Sequence, residues 1–206
     1  MERLEKQIRF LLELDKMKNL YRQTYIINDE DRPSGGEFTP RPPRKENDAE
    51  HSFHLAIFAA ILSEYANESI DTAHVMKMVL VHDVVEIDAG DTYCYDPEGN
   101  KTKRSRELKA ADRLFGLLPD DQRDEYRSLW DEFEANETPD AKFANAMDRL
   151  QPVLMNYAKG GISWQEHGVK YDSVVERNEK ISLGSSELWD YVKPLFDDAL
   201  AKGKLR

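Results

Sequence analysis

The sequence predicts an all-α fold, a compact bundle of several helices, and three observations support this prediction. Apolar residues recur at helical spacing along most of the 206 residues. Helix-capping signals precede several of these periodic segments. No stretch alternates apolar and polar residues over the length of a convincing strand. A chain of this length is expected to form a single domain, residues 1–206, with a sizeable hydrophobic core.

The apolar periodicity divides the chain into eight predicted helices. Asn47, with Glu50 three residues later, is a variant of the capping box, and Asp71 is a predicted N-cap. Thr138 followed by Pro139 indicates a cap with proline at the first helical position. The apolar run 78–85 predicts that its helix is largely buried. The predicted helices are 4–20, 47–65, 72–88, 108–118, 126–133, 139–160, 174–181 and 188–200.

Two segments interrupt the helical pattern. Residues 28–47 hold four of the nine prolines and a small basic cluster that includes Arg44. Residues 89–101 follow the His82 segment directly and contain two glycines and a proline. Both segments are expected to be loops that overhang the candidate site.

Composition and charge exclude several classes of function. The formal charge of −11 argues against a nucleic-acid polymer as partner, because that affinity depends on Lys and Arg neutralising phosphates. No apolar stretch approaches the ~20 residues of a membrane span, and no apolar signal region follows Met1. The single cysteine, Cys94, fits a reducing compartment, so a cytoplasmic protein without membrane contact is expected.

The adjacent residues His82 and Asp83 are the strongest sign of chemistry in the chain. They lie inside the apolar run, where a buried carboxylate needs a metal or a matched partner. His51 and Asp148 are further candidate ligands on other predicted helices. Two histidines and two aspartates suit a divalent ion, whether Mn, Co, Fe, Ni or Mg, and leave about two coordination positions open for water and a phosphate oxygen.

This ordered ligand set resembles the HD-domain metal-dependent phosphohydrolase superfamily, most closely its 5′-deoxynucleotidase-like branch. The supporting stretches are Glu50-His51-Ser52, residues 81–91 (VHDVVEIDAGD), Leu117-Leu118-Pro119 and residues 141–148 (AKFANAMD). The resemblance covers roughly residues 18–183 and implies an all-helical HD-domain bundle. It also implies a hydrolase of small phosphorylated substrates, with nucleoside 5′-monophosphates and their deoxy forms as the expected class.

The resemblance also implies roles for residues beside the ligands. Glu86, four residues after His82 and hence on the same helical face, is expected to transfer protons. Asp91 is expected to contact the sugar, and Arg22 matches the arginine that the family places against the phosphate. Arg44 is a second candidate for the phosphate, although residues 28–47 are longer here than in those enzymes. The family often has a tryptophan after the phosphate arginine, whereas Gln23 stands here.

His54 lies three residues after His51 and therefore on the same helical face. We interpret it as a supporting or substrate-facing residue rather than a ligand. Small phosphohydrolases of this kind often form homodimers, and the apolar residues of the last helix, Trp189, Phe196 and Leu200, are a candidate interface.

Each assignment has a structural alternative, and so does the function. The substrate could be a cyclic nucleotide, a nucleoside triphosphate or another phosphate ester, and a binding module that keeps the metal but not catalysis is a third hypothesis. The alternative roles are a helix-start residue for His51, a buried ion pair for His82–Asp83, pairing with Arg149 or a nearby lysine for Asp148, a structural acid for Glu86, a loop cap for Asp91 and a surface salt bridge for Arg22.

Overall fold

The structure, a computed structural model, describes residues 2–26, 44–90 and 97–206, which are mostly helical with one small sheet. The all-α prediction is confirmed. The elements are α1 (Glu2–Leu14), β1 (Tyr21–Tyr25), β2 (Lys45–Asn47), α2 (Asp48–Leu62), α3 (Thr72–Val81), α4 (Glu86–Ala89), α5 (Pro97–Phe115), α6 (Asp120–Ala135), α7 (Pro139–Ala158), α8 (Ile162–Glu166), α9 (Tyr171–Asn178) and α10 (Ser186–Ala201).

The hydrophobic core lies where α2, α3, α6, α7 and α10 pack together. Its largest fully buried side chains include Trp130, Phe115, Phe143 and Phe196. Burying an apolar side chain of this size contributes roughly 1.5–3 kcal/mol. Because Phe196 is buried in this core, it cannot serve the interface proposed for the last helix, and the expected homodimer stays a prediction. Within the described residues, no helix is long and apolar enough to span a membrane.

The predicted helix 72–88 is wrong in one respect, because α3 ends at Val81 and a turn separates it from α4. In this turn the amide of Val84 donates to the carbonyl of Val81 at 3.2 Å, and that of Glu86 donates to Asp83 at 3.0 Å. These tighter bonds replace the helical pattern and redirect the backbone at the His-Asp pair. The predicted N-cap of α3 is confirmed, since Asp71 accepts from two backbone amides.

The expectation of no strands is also wrong. β1 and β2 pair in an antiparallel sheet with Tyr21 opposite Asn47 and Tyr25 opposite Lys45. Strands of five and three residues are too short to show a period-2 pattern, and their partners are far apart in the chain. The last part of the predicted 28–47 loop is therefore a strand. The predicted loop 89–101 is also too long, because residues 97–101 form the start of α5. Residues 27–43 and 91–96, which hold most of the first predicted loop and part of the second, lie outside the described residues.

The sheet and the helix starts place the site residues. β2 runs directly into α2, where the Asn47 side chain accepts from the Glu50 amide and the Glu50 carboxylate accepts from the Asn47 amide. This confirms the predicted capping box. Thr138 caps α7 by accepting from the Ala141 amide at 3.1 Å, also as predicted. The N-terminal helix is shorter than predicted, because a 3₁₀ turn over residues 15–19 follows α1.

Candidate metal centre and substrate cavity

Four predicted ligands converge at one point from three parts of the chain. His51 comes from α2, His82 and Asp83 from the turn after α3, and Asp148 from α7. Nε2 of His51 lies 3.0 Å from Oδ1 of Asp148, and Nε2 of His82 lies 3.1 Å from Oδ2 of Asp83. The distance from Nε2 of His82 to Oδ1 of Asp148 is 3.6 Å. The two histidines and Asp83 each offer a ligand atom within 4.8 Å of the others.

The ring of His82 is oriented by the backbone of its own helix. Its Nδ1 lies 2.7 Å from the carbonyl oxygen of Val79, which can only accept, so Nδ1 carries the proton. Nε2 therefore faces the cluster. It is buried and makes no hydrogen bond within the described part of the chain, although the Asp83 carboxylate is near. A buried ring nitrogen held in this way is a preformed metal ligand.

The ring of His51 is oriented by side chains from other elements. Its Nδ1 lies 3.2 Å from Oε1 of Gln151 on α7 and 3.4 Å from a carboxylate oxygen of Glu46 on β2. Nε2 of Gln151 donates to Glu46 at 2.6 Å, which leaves the amide oxygen to accept from the imidazole. His51 thus also presents Nε2 to the cluster.

A second acidic group adjoins the first. Carboxylate oxygens of Asp48, Asp83 and Glu86 lie within 4.8 Å of one another, and all three residues are buried. Asp48 opens α2 one turn before His51, and Glu86 opens α4 directly after the turn. The structure therefore brings Glu86 to the cluster as predicted, but through the turn after α3 rather than along one helical face.

Arg22 lies inside the site rather than in a surface salt bridge. From β1 its guanidinium lies 2.6 Å from Asp83, 3.5 Å from Asp48 and 3.8 Å from Asp148. Its side chain is only 16% exposed. The arginine thus bridges the two acidic groups and stands where it can meet an anion bound at the cluster.

The electrostatics of the cluster favour a cation. Burial raises the pKa of Asp83, but the His82 imidazole and the Arg22 guanidinium overcome this and hold it below the ordinary range. Burial likewise raises the pKa of Asp148, while its hydrogen bond with His51 and the nearby imidazole of His82 bring it well below its usual value. Burial lowers the pKa of His82, yet the two facing carboxylates raise it well above normal. The carboxylates thus stay ionised, and a divalent ion would take the place of the protons on the imidazoles.

The residues present therefore fit a divalent metal. Two imidazole nitrogens and two carboxylates converge, and each ring is held through the nitrogen that faces away from the cluster. Such a mixed N/O donor set suits a first-row transition metal or Mg²⁺ and does not identify which.

A cavity of about 220 Å³ opens beside the cluster. Arg22, Asp83, Glu86 and Asp148 form one part of its wall. α5 and α6 contribute another part, and α7, α8 and α9 contribute a third, which includes Trp164. The cavity lies beside the site that the sequence predicts and is large enough for a small ligand.

Two other predicted residues, Arg44 and His54, do not line the cavity, and a third cannot be placed. Arg44 is exposed, and its guanidinium pairs with Glu50 at 2.5 and 2.8 Å. His54 lies behind the cluster, where its Nδ1 is 3.2 Å from Nε2 of Gln151. Asp91 lies outside the described residues.

Sequence reasoning missed three residues of the site. Asp48, three residues before His51, and Gln151, three residues after Asp148, each share a helical face with a predicted ligand, and this spacing could have indicated them. Glu46 had no comparable signal, because its place depends on the pairing of β2 with β1.

Comparison with known proteins agrees with this geometry. A family model described as HD domain matches residues 37–189. A solved structure of a predicted metal-dependent phosphohydrolase from Magnetospirillum magnetotacticum MS-1 is 46% identical, with a TM-score of 0.87, over 99% of this chain and 96% of that one. An HD-domain phosphohydrolase from Listeria innocua shares the fold at 17% identity and a TM-score of 0.59, over 96% of this chain and 91% of that one.

A curated relative is more distant. The 5′-deoxynucleotidase HDDC2 of Homo sapiens is 25% identical over 147 residues, which is 71% of this chain. The match spans 65% of the human protein, slightly less than two thirds of its length.

Proposed function

The chain belongs to the HD-domain family of metal-dependent phosphohydrolases, and from this premise we propose that it releases phosphate from nucleoside 5′-monophosphates, including the deoxy forms. The observation that carries the proposal is the convergence of His51, His82, Asp83 and Asp148 beside a cavity that Glu86 also lines. The name of the human relative supports the choice of substrate class.

In this proposal His51, His82, Asp83 and Asp148 hold one divalent metal. When bound, such an ion supplies Lewis acidity, which activates a water near neutral pH and polarises the phosphate. The chain's own contribution is orientation: each imidazole is fixed by a hydrogen bond on its far nitrogen. Three of the four ligands, His51, His82 and Asp83, are buried, so the protein interior limits the positions that they can take.

Arg22 is the proposed phosphate-binding residue of β1. A guanidinium offers paired donors that match two oxygens of a phosphate, and Arg22 already lies among the carboxylates of the ligand set. Its contact with Asp83 keeps it at the cluster before a substrate arrives. Arg22 would then orient the phosphate for attack.

Glu86 is the proposed proton-transferring residue. Its carboxylate lies within 4.8 Å of Asp83 and Asp48, and it lines the cavity. Glu86 is not one of the four proposed ligands, so its carboxyl group is available to the substrate side of the cavity. A carboxyl group in that place can take a proton from the attacking water or give one to the leaving 5′-oxygen.

The direct test is phosphate release from a panel of substrates. Protein stripped with EDTA and reloaded with Mn²⁺ or Co²⁺ is given 5′-deoxynucleotides, 5′-ribonucleotides, cyclic nucleotides and triphosphates. We expect metal-dependent release from the 5′-monophosphates, and a loss of about 10²–10⁴-fold in kcat for Glu86→Gln with its metal retained. Turnover confined to cyclic nucleotides or triphosphates would contradict the substrate class, and binding without any turnover would contradict an enzyme.

A further inference from the structure

A lysine and a glutamate of α5 share the cavity wall with the proposed catalytic residues. Lys103 and Glu107 are four residues apart on one face of the helix, and both line the cavity together with Glu86 and Asp83. Nζ of Lys103 lies 3.4 Å from Oε1 of Glu107. Glu107 is only 5% exposed, whereas the side chain of Lys103 is 39% exposed. The ammonium group therefore rests on a buried carboxylate at the edge of the cavity.

The surroundings of Lys103 are strongly acidic. Burial lowers its pKa, but the carboxylates of Glu107, Glu86 and Asp83 overcome this and raise it above the ordinary value. Lys103 thus stays charged at neutral pH. The same carboxylates would repel a phosphate dianion on its way to the cluster, so a cation on this wall lowers the cost of bringing the phosphate in.

Lys103 differs from Arg22 in how its donors are used. The Arg22 guanidinium already lies within 4.0 Å of three carboxylates at the cluster. Lys103 has three N–H donors, and in the described part of the chain its ion pair is with Glu107 alone. A lysine on a four-carbon stem can move towards a ligand while it keeps this partner.

We propose that Lys103 binds the phosphate of the substrate from α5, and that Glu107 is a positioning residue that holds the ammonium group at the cavity wall. The inference rests on the proposed function, because it assigns a second cationic contact to the same phosphate. Arg22 and Lys103 then meet the phosphate from two separate elements, β1 and α5.

The test is the binding of inorganic phosphate to metal-loaded protein, measured by calorimetry beside metal content and steady-state kinetics. Lys103→Met keeps the length of the side chain and removes the charge. We expect it to raise the Kd for inorganic phosphate about tenfold, the effect of one lost charge-assisted hydrogen bond at a partly exposed site. Lys103→Arg should restore most of the affinity. The matched control is Lys109→Met, an exposed lysine of the same helix, which should bind phosphate like the unchanged protein.

Glu107→Gln tests the positioning role. We expect a smaller rise in the Kd than for Lys103→Met, and no further rise when Glu107→Gln is added to Lys103→Met, because the two changes remove one shared interaction. Phosphate binding by Lys103→Met equal to that of the unchanged protein, with the metal retained, would overturn the proposal. If no nucleotide is hydrolysed but phosphate binding still depends on Lys103, the proposed function fails and the phosphate contact stands.

Discussion

The two histidines of the cluster perform the same task but are held in different ways. His82 is oriented by the carbonyl of Val79, three residues earlier in its own segment. His51 is oriented by Gln151 and Glu46, which lie 100 residues later on α7 and five residues earlier on β2. One support is local backbone, and the other depends on the packing of three elements.

The difference between the two supports indicates which substitutions near the site should weaken metal binding. A backbone acceptor survives a change of side chain, so the His82 ring keeps its orientation as long as α3 forms. A side-chain network loses the orientation of His51 when a single member is replaced, and it leaves a buried polar group without its partner. We therefore expect substitutions beside His51 to weaken metal binding more than substitutions beside His82.

The largest expected effect comes from the ligands themselves. His82→Ala or Asp83→Ala should abolish both turnover and bound metal, because each change removes one buried donor from a set of four. Metal content is measured by elemental analysis after dialysis. Full metal content or full activity in either variant would contradict the proposed metal site.

The second effect separates the two supports. Gln151→Leu should weaken metal binding about 10–100-fold, because it removes the nearer of the two acceptors that orient His51 and the amide that donates to the buried Glu46 carboxylate. Competition with a chromogenic chelator measures the affinity. An unchanged affinity would mean that the network does not orient the ligand.

The smallest change in metal affinity is expected at Val79, whose carbonyl orients His82. Val79→Ala keeps the carbonyl that holds His82 and should leave metal affinity unchanged. The same change should cost about 2 kcal/mol in the free energy of unfolding, because Val79 is fully buried and its loss leaves a cavity. Urea denaturation gives the stability. If Val79→Ala weakens metal binding as much as Gln151→Leu does, the backbone support of His82 is no less sensitive to substitution than the side-chain support of His51, and the comparison fails.

Local patterns predicted the parts of the site that depend on near neighbours. The capping box at Asn47, the cap at Asp71 and the cap at Thr138 are set by residues within one helical turn, and the structure has all three. The helix break at His82 escaped prediction, because the apolar residues continue on both sides of the turn. Periodicity cannot separate one long buried helix from two helices joined by a turn.

Contacts between distant residues account for what was missed or misplaced. Arg44 is a basic residue near the site in sequence, yet it pairs with Glu50 at the surface. In sequence Lys103 lies between the predicted loop 89–101 and the predicted helix 108–118, yet the packing of α5 on α4 places it on the cavity wall. Arg44 and Lys103 are both basic residues, so charge and residue type do not show which of them lines the cavity. The packing of the helices does.

The helical class and most helix starts follow from the sequence alone, because they depend on periodicity and capping chemistry, and His82 and Asp83 follow from the cost of charge in an apolar run. The family resemblance supported His51 and Asp148 as the other two ligand candidates. Three features depend on tertiary packing: the pairing of β1 with β2, the placement of Asp48, Glu46 and Gln151 around the ligands, and the position of Lys103 on the cavity wall. The physical reason is distance along the chain. Local rules act over about one helical turn, whereas the site is assembled from residues brought together by the burial of a common core.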